Sequence, residues 1–279
     1  MKKILIPCDF SEQAINAFRV ALDIAKESNG IVHLLNVVEL PVMHDTTLMP
    51  VLSFEEALLT ELKEKASKQF EKINKKYNKD SEVKVRTVVQ FGGISYVILN
   101  YIEENEIDVV VMGTKGASGL REIIIGSNAE KIVRNSPVPV LVIKKFVKVS
   151  SIKNIVFPNT LQQDQEDLTM KVKALQNFFK AKLHIVFINT PGNFTRDVVT
   201  HKLLKSFAKR FMLKDFTINV YNDPYEESGV INFTHSIGAD MIAMGTHGRK
   251  GLSHILSGSV AEDVVNHVDC PIWTYAIKS

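Results

Sequence analysis

Apolar positions along this chain alternate between two spacings: short continuous runs, and stripes recurring every three to four residues. Lys3–Pro7 carries Ile4-Leu5-Ile6 and reads as a buried strand. Ala14, Phe18, Ala21, Leu22 and Ala25 then recur at helical spacing. Ser11 can cap that helix, and Glu12 sits in its first turn, where the helix dipole favours a carboxylate. Ile31–Val38 is a second strand. Leu59, Leu62, Ala66, Phe70, Ile73 and Tyr77 form one stripe of a longer helix. Its opposite face, within 55–79, is heavily charged and reads as solvated. A third strand is predicted over 83–89, a helix through Ile94, Val97, Ile98 and Ile102, a fourth strand over 107–112 and a fifth over 139–143.

The pattern then repeats. Asn154–Pro158 matches Lys3–Pro7, and 182–188 matches 31–37, both 151 positions later. Gly113-Thr114-Lys115-Gly116, nine residues, Gly126-Ser127 returns 132 positions later as Gly245-Thr246-His247-Gly248, nine residues, Gly258-Ser259. The offset shortens because the first half holds about 19 more residues between Glu39 and Val83. A duplicated unit predicts two domains, 1–146 and 151–279, with 144–153 as the linker. Strands alternating with helices predict an α/β fold: in each domain a five-stranded parallel sheet of order 3-2-1-4-5 with helices on both faces. Such sheets bind ligands beyond the strand carboxyl ends, where strand order reverses. Pro7-Cys8-Asp9 and 113–116 would flank that point.

The glycines permit positive φ and close backbone approach, Gly126 just before a helix starting at Ser127. Amides at that helix start can receive a phosphate, and Ser127 adds a hydroxyl. A plainer reading stands beside it. Ser127-Asn128-Ala129-Glu130 and Ser259-Val260-Ala261-Glu262 both have the form of capping boxes, which need no ligand.

Composition narrows the classes. At 279 residues, 45% hydrophobic and 23% charged, the chain is that of an ordinary globular protein. A net charge of +3 without an aromatic-interleaved basic face does not point to nucleic acid. No apolar run approaches the roughly 20 residues that span a bilayer. Met1-Lys2-Lys3 leads straight into a strand rather than a secretory signal. Cys8 and Cys270 lie in different halves, so a reduced, cytoplasmic protein is expected. There is no Walker A loop, no Gly-x-Gly-x-x-Gly after the first strand and no nucleophile elbow. His33 and His184 occupy equivalent strand positions and read as packed residues. His247 is either a phosphate contact or a loop histidine. Cys8 reads as a small buried residue.

The opening Lys3-Ile4-Leu5-Ile6-Pro7-Cys8-Asp9-Phe10-Ser11, the doubled glycine motif and the closing strands at Pro139 and Pro271 resemble the universal stress protein family in its tandem form. The resemblance covers nearly the whole chain. It implies a Rossmann-like, adenine nucleotide alpha hydrolase-like fold, and the glycine motif is that of the family's ATP-binding branch. It implies that Pro7, Asp9 and Val37 face adenosine and that Met112 and Gly113 lie on the ribose side. Lys115, Gly116, Gly126, Ser127 and Asn128 would surround the phosphates. The second set would be Pro158, Asn159, Ile188, Met244, Gly245, His247, Gly248, Arg249, Gly258, Ser259 and Val260. Asn159 is taken to stand where the family has aspartate, which would weaken adenosine binding in the second half.

The expected function is a cytosolic, nucleotide-responsive stress sensor or adaptor. It would bind ATP, ADP or AMP, with Mg²⁺ accompanying the triphosphate, and turn it over slowly or not at all, since no general base or arginine finger is visible. Two alternatives are a structural interaction module with empty glycine loops and a nucleotide-processing enzyme. The protein partner is unknown, and neither nucleic acid nor membrane is expected. The two last strands, exposed as edges, are expected to pair antiparallel within the monomer with Trp273 in the shared core. A two-chain assembly is compatible with the sequence.

Overall fold

The computed structural model describes residues 1–39, 52–79, 82–114, 126–161, 166–247, 264 and 267–277. The first half runs β1 (Lys3–Pro7), α1 (Glu12–Ser28), β2 (Ile31–Val38), α2 (Leu52–Tyr77), β3 (Lys84–Phe91), α3 (Ile94–Glu104), β4 (Val109–Gly113), α4 (Ser127–Asn135) and β5 (Val140–Ile143). The second runs β6 (Asn154–Pro158), α5 (Glu166–Phe179), β7 (Lys182–Asn189), α6 (Asp197–Arg210), β8 (Phe216–Asn222), α7 (Glu226–Ser236), β9 (Met241–His247) and β10 (Ile272–Ile277). Ser11 caps α1 as its sequence suggests, its Oγ accepting the Ala14 amide at 3.2 Å.

All ten strands form one sheet of order β3-β2-β1-β4-β5-β10-β9-β6-β7-β8. Each half has the order 3-2-1-4-5, and its strands pair in parallel. The halves meet at β5 and β10, which run antiparallel with Leu141 opposite Trp273 and Val142 opposite Ile272. Leu141 and Trp273 are also equivalent positions of the repeat, so the local two-fold axis passes through this pair. Thr274 Oγ1 donates to the Val140 carbonyl across the seam at 3.3 Å. The edge strands predicted from sequence thus cover one another, and each apolar core continues across the seam. One core joins Phe18, Leu141, Trp273 and Leu175, while the other joins Ile98, Val140, Ile272 and Phe233.

A second device is duplicated. Asp108 Oδ2 accepts the Lys3 amide at 3.0 Å, and Asp240 Oδ2 accepts the Asn154 amide at 2.9 Å. In each half an aspartate before the fourth strand thereby ties down the start of the first.

The segment 144–153 is not a loose connector. Phe146 lies under the Arg19 guanidinium at 3.9 Å, and Val149 and Ile152 are buried in the core that contains α1. The sequence marks it as the linker, and the apolar residues between its lysines pack. Among the described residues, no helix is long and apolar enough to cross a membrane.

Candidate functional site

In the first half the site is built where β1 and β4 separate. Pro7 is the last residue of β1, opposite Leu35, and the Cys8 amide closes the ladder on the Leu35 carbonyl at 2.8 Å. The chain then turns through Phe10 at φ 64°, an unfavourable conformation for a large side chain. Its ring is held against Phe70, with centroids 5.1 Å apart. Asp9 is exposed at this turn, and its Oδ1 accepts the Ser11 amide at 3.0 Å.

On β2, Leu35 directs its carbonyl toward β1. Backbone groups two residues along a strand face the same side, so Val37 turns its N–H and C=O toward the space β1 has left. Val38 faces the other way, accepting the Gly92 amide at 3.1 Å. Val37 therefore offers one donor and one acceptor beside Asp9. Cys8 beneath is buried, and desolvation pushes its thiol up to about 12. It stays protonated and is no nucleophile, in keeping with the packed reading.

The fourth strand delivers the first glycine. A Cβ on Gly113 would lie 2.7 Å from Gln13 Cβ and 2.8 Å from the Gln13 carbonyl carbon. On Gly245 it would lie 2.8 Å from Ile277 Cδ1 and 2.9 Å from Leu168 Cδ2. Contact with the α1 backbone thus explains the glycine at 113, ligand or no ligand, whereas at 245 the neighbours are side-chain tips that can give way. Neither Gly113 nor Gly126 has a positive φ, contrary to expectation. Gly113→Ala is expected to cost about 1–3 kcal/mol by overpacking β4 against α1. Denaturant unfolding checks this, and an unchanged midpoint would contradict it.

The other glycine acts differently. Gly126 is the N-cap of α4, at φ −61° and ψ 142°, and as a glycine it brings no side chain to cap this helix. Its amide donates to the Thr114 carbonyl at 2.8 Å, which brings the start of α4 back to the end of β4. Ser127 lies inside the first turn, not at the cap, and Glu130 pairs with Arg134 at 3.1 Å. The capping-box reading therefore fails for this copy: the motif is one residue out of place. What remains is a helix start whose N-cap residue supplies no side-chain acceptor, with an exposed Ser127. Asn128 is half-buried and accepts from Ser95 Oγ at 3.4 Å. Lys115 and Gly116 lie outside the described residues.

The second half departs at its first turn. Asn159 donates its amide to the Val186 carbonyl at 2.9 Å, as Cys8 does to Leu35. Leu161 has φ 62°, matching Phe10. The register therefore makes Asn159 the counterpart of Cys8, and Thr160, exposed, the counterpart of Asp9. This corrects the expectation that Asn159 replaces the aspartate. Residue similarity drew the match one place too early. The carboxylate is still missing from this half, but at position 160.

Ile188 takes the place of Val37. Met244 is buried, and Pro158 ends β6. His247 is the last residue of β9, paired with Ile277, rather than a loop residue. The strand thus continues two residues past Gly245, whereas β4 stops at Gly113. Gly248, Arg249, Gly258, Ser259 and Val260 lie outside the described residues.

Sequence reasoning missed a polar network over this half. Asn189 Nδ2 donates to Asn222 Oδ1 at 2.8 Å, and the Thr195 amide donates to Asn189 Oδ1 at 2.9 Å. Asn193 bonds Glu226 at 2.8 Å, and Asp223 accepts from Ser228 and Asn232. The signal was available in the asparagines at and just beyond the ends of two strands, at 189, 193 and 222.

The remaining candidates are structural. His33 Nδ1 lies 2.9 Å from the Tyr101 hydroxyl, and His184 is held by Thr217 and Asn154. Burial lowers both imidazole pKa values. No cluster of His, Cys, Asp and Glu among the described residues could hold a metal ion.

The sequence model of the universal stress protein family matches residues 1–144 and 217–275. A universal stress protein of Methanocaldococcus jannaschii is 35% identical over 144 residues, which cover 52% of this chain and 82% of that protein. One from Synechocystis is 22% identical over 292 residues, covering 99% of this chain and 100% of that protein. The crystal structure of a universal stress protein from Archaeoglobus fulgidus superposes with a TM-score of 0.78 at 19% identity, covering 99% of this chain and 98% of that one. At that identity the likeness speaks for the fold.

Proposed function

This chain belongs to the universal stress protein family, and from that premise we propose that it binds an adenine nucleotide at the strand carboxyl ends of its first half. It then acts as a nucleotide-responsive adaptor in a stress response, in the cytoplasm. The observation that carries this reading is the helix start at Gly126, whose N-cap residue brings no side chain and whose amide is drawn back to the end of β4. Amides there, with the helix dipole, favour an anion.

The other groups suit the rest of the ligand. Val37 N–H and C=O match the acceptor at adenine N1 and the donor at N6. Asp9 supplies a carboxylate for ribose hydroxyls, and Met112 and Gly113 wall that side. Ser127, Asn128, Lys115 and Gly116 complete the phosphate end. The second half offers Ile188 and its own glycine loop, but Thr160 where Asp9 stands.

Mg²⁺ would accompany the triphosphate and neutralise its charge. Asp9 is the carboxylate at hand, which suits a metal carried in by the nucleotide better than a resident one. Cys8 is protonated, and no histidine among the described residues lies at this end of the first half, so turnover is proposed to be slow.

Calorimetry with ATP and GTP tests the adenine assignment. ATP should bind at least about tenfold more tightly, because guanine presents N1–H and O6 in reversed polarity to Val37. Equal affinities would sink it.

A further inference from the structure

The ten-stranded sheet ends in two edges, β3 and β8, and they differ. β3 carries Lys84 and Arg86, both exposed, and charge of this kind keeps an edge from pairing. β8 reads Phe216-Thr217-Ile218-Asn219-Val220-Tyr221-Asn222, with no charged residue and no proline. It pairs with β7 over its whole length without a bulge. The usual guards against edge pairing are thus missing from it. β5 and β10 already cover one another, so no strand among the described residues is left to cover β8.

The side to which each backbone group of β8 points follows from its ladder. The Leu183 amide donates to the Asp215 carbonyl at 3.0 Å, and the Asp223 amide donates to the Asn189 carbonyl at 3.2 Å. Odd-numbered residues of β8 therefore face β7, while 216, 218, 220 and 222 turn N–H and C=O outward. The strand is held in place from both faces. Phe216, Ile218 and Val220 pack on the core that contains Leu204 and Ala208 of α6, and Tyr221 lies against Phe233 of α7, with centroids 5.8 Å apart.

We propose that β8 is a self-association edge, pairing antiparallel with β8 of a second copy of this chain about a two-fold axis through Asn219. In that register 216 faces 222 and 218 faces 220 of the other copy. Every outward group of the strand is then paired, each facing couple exchanging two hydrogen bonds. Moving the axis to 218 or 220 leaves one outward residue facing beyond the end of the other strand. Ile218 meets Val220 twice, a β-branched pair suited to a sheet. The ends agree in charge. Residues 209–215 carry Lys209, Arg210 and Lys214 against Asp215, while 223–227 carry Asp223, Glu226 and Glu227 and no cation. Antiparallel pairing lays the basic end on the acidic one, twice. It also brings Met212, exposed before β8, toward Tyr225, exposed after it. Such a joint is isologous and closes at two chains. It lies in the second half and uses none of the nucleotide-facing groups, so it stands independently of the nucleotide reading.

Sedimentation equilibrium of the full, ligand-free chain tests this and should give twice the mass of one chain. Asn219→Lys and Asn219→Asp each set like charges face to face on the axis, and each variant alone should sediment as a monomer. An equimolar mixture of the two should recover the dimer, because lysine then faces aspartate. Asn219 Nδ2 donates to the Ile185 carbonyl at 3.0 Å within its own chain, so the thermal midpoint of each variant is measured alongside. Asn219→Cys is the smaller change. It should give a disulfide-linked dimer on mild oxidation, since facing residues of this kind hold their Cβ atoms about 4.5–5.5 Å apart.

A wild-type chain that stays monomeric at millimolar concentration overturns the proposal. So do lysine and aspartate variants that each dimerise as the wild type does, which puts the contact elsewhere. A mixture of folded variants that stays monomeric removes Asn219 from the axis and overturns it too. Should the charged variants fail to fold, the cysteine variant decides, and a chain that forms no disulfide-linked dimer overturns it.

Discussion

Gly126→Asp is expected to remove nucleotide binding from the first half while leaving the fold intact. The backbone at Gly126, φ −61° and ψ 142°, is open to any residue. Aspartate is moreover a preferred N-cap, so its carboxylate would occupy the amides of the first turn of α4, which glycine cannot cap. The helix gains a few tenths of a kcal/mol over glycine, and the phosphate loses its seat. A carboxylate about 4 Å from a phosphate charge adds repulsion of about 4 kcal/mol at the effective dielectric of a protein surface. Affinity should therefore fall at least about a hundredfold, with the thermal midpoint unchanged or slightly raised. Titration calorimetry should lose one site per chain. Wild-type stoichiometry and affinity in this variant would place the nucleotide elsewhere.

Trp273→Asp should be the most damaging single substitution at the seam. Trp273 is 2% exposed, lies opposite Leu141 on the local two-fold axis, and stacks on Tyr275 with centroids 6.3 Å apart. A carboxylate there would be buried without a partner, and the lost ring would leave a cavity in a core that both halves share. The expected loss is at least about 4 kcal/mol. Segment 144–153 should become a protease target, since its packing depends on α1 and the adjoining seam. Trp273→Leu, which repeats the residue opposite, should lose far less. A Trp273→Asp chain with the wild-type denaturant midpoint would refute the shared-core account.

The strand order and the closure of β5 on β10 were legible because they depend on coarse features. Apolar runs alternate with helical stripes twice over, and an exposed apolar edge such as Val140–Ile143 needs a cover. Errors arose where one residue of register decides the role. Asn159 resembles an aspartate, and residue type outweighed the strict repeat that assigns Thr160 to that place. Ser127-x-x-Glu130 has the form of a capping box, but Gly126 takes the cap, and the form alone cannot tell which residue leaves the helix. In 144–153 the lysines are conspicuous and the buried residues are Val149 and Ile152, an apolar pattern too short to register as a period. Gly113 was read toward a ligand, although its contact with the Gln13 backbone of α1 alone requires a glycine there. Phosphate contacts at Lys115, Gly116, Gly248, Arg249, Gly258, Ser259 and Val260 lie outside the described residues and rest on the resemblance.

The central claim is that an adenine nucleotide lies between the end of β2 and the start of α4. Its most direct test is a backbone ¹H–¹⁵N titration of the wild-type chain with ATP. The account predicts saturable shifts at the amides of Val37, Ser127 and Asn128, with Lys84 and Arg86 at the opposite ends of the strands unmoved. Saturable binding that leaves Val37 and Ser127 unshifted, or no binding at millimolar ATP, would contradict it.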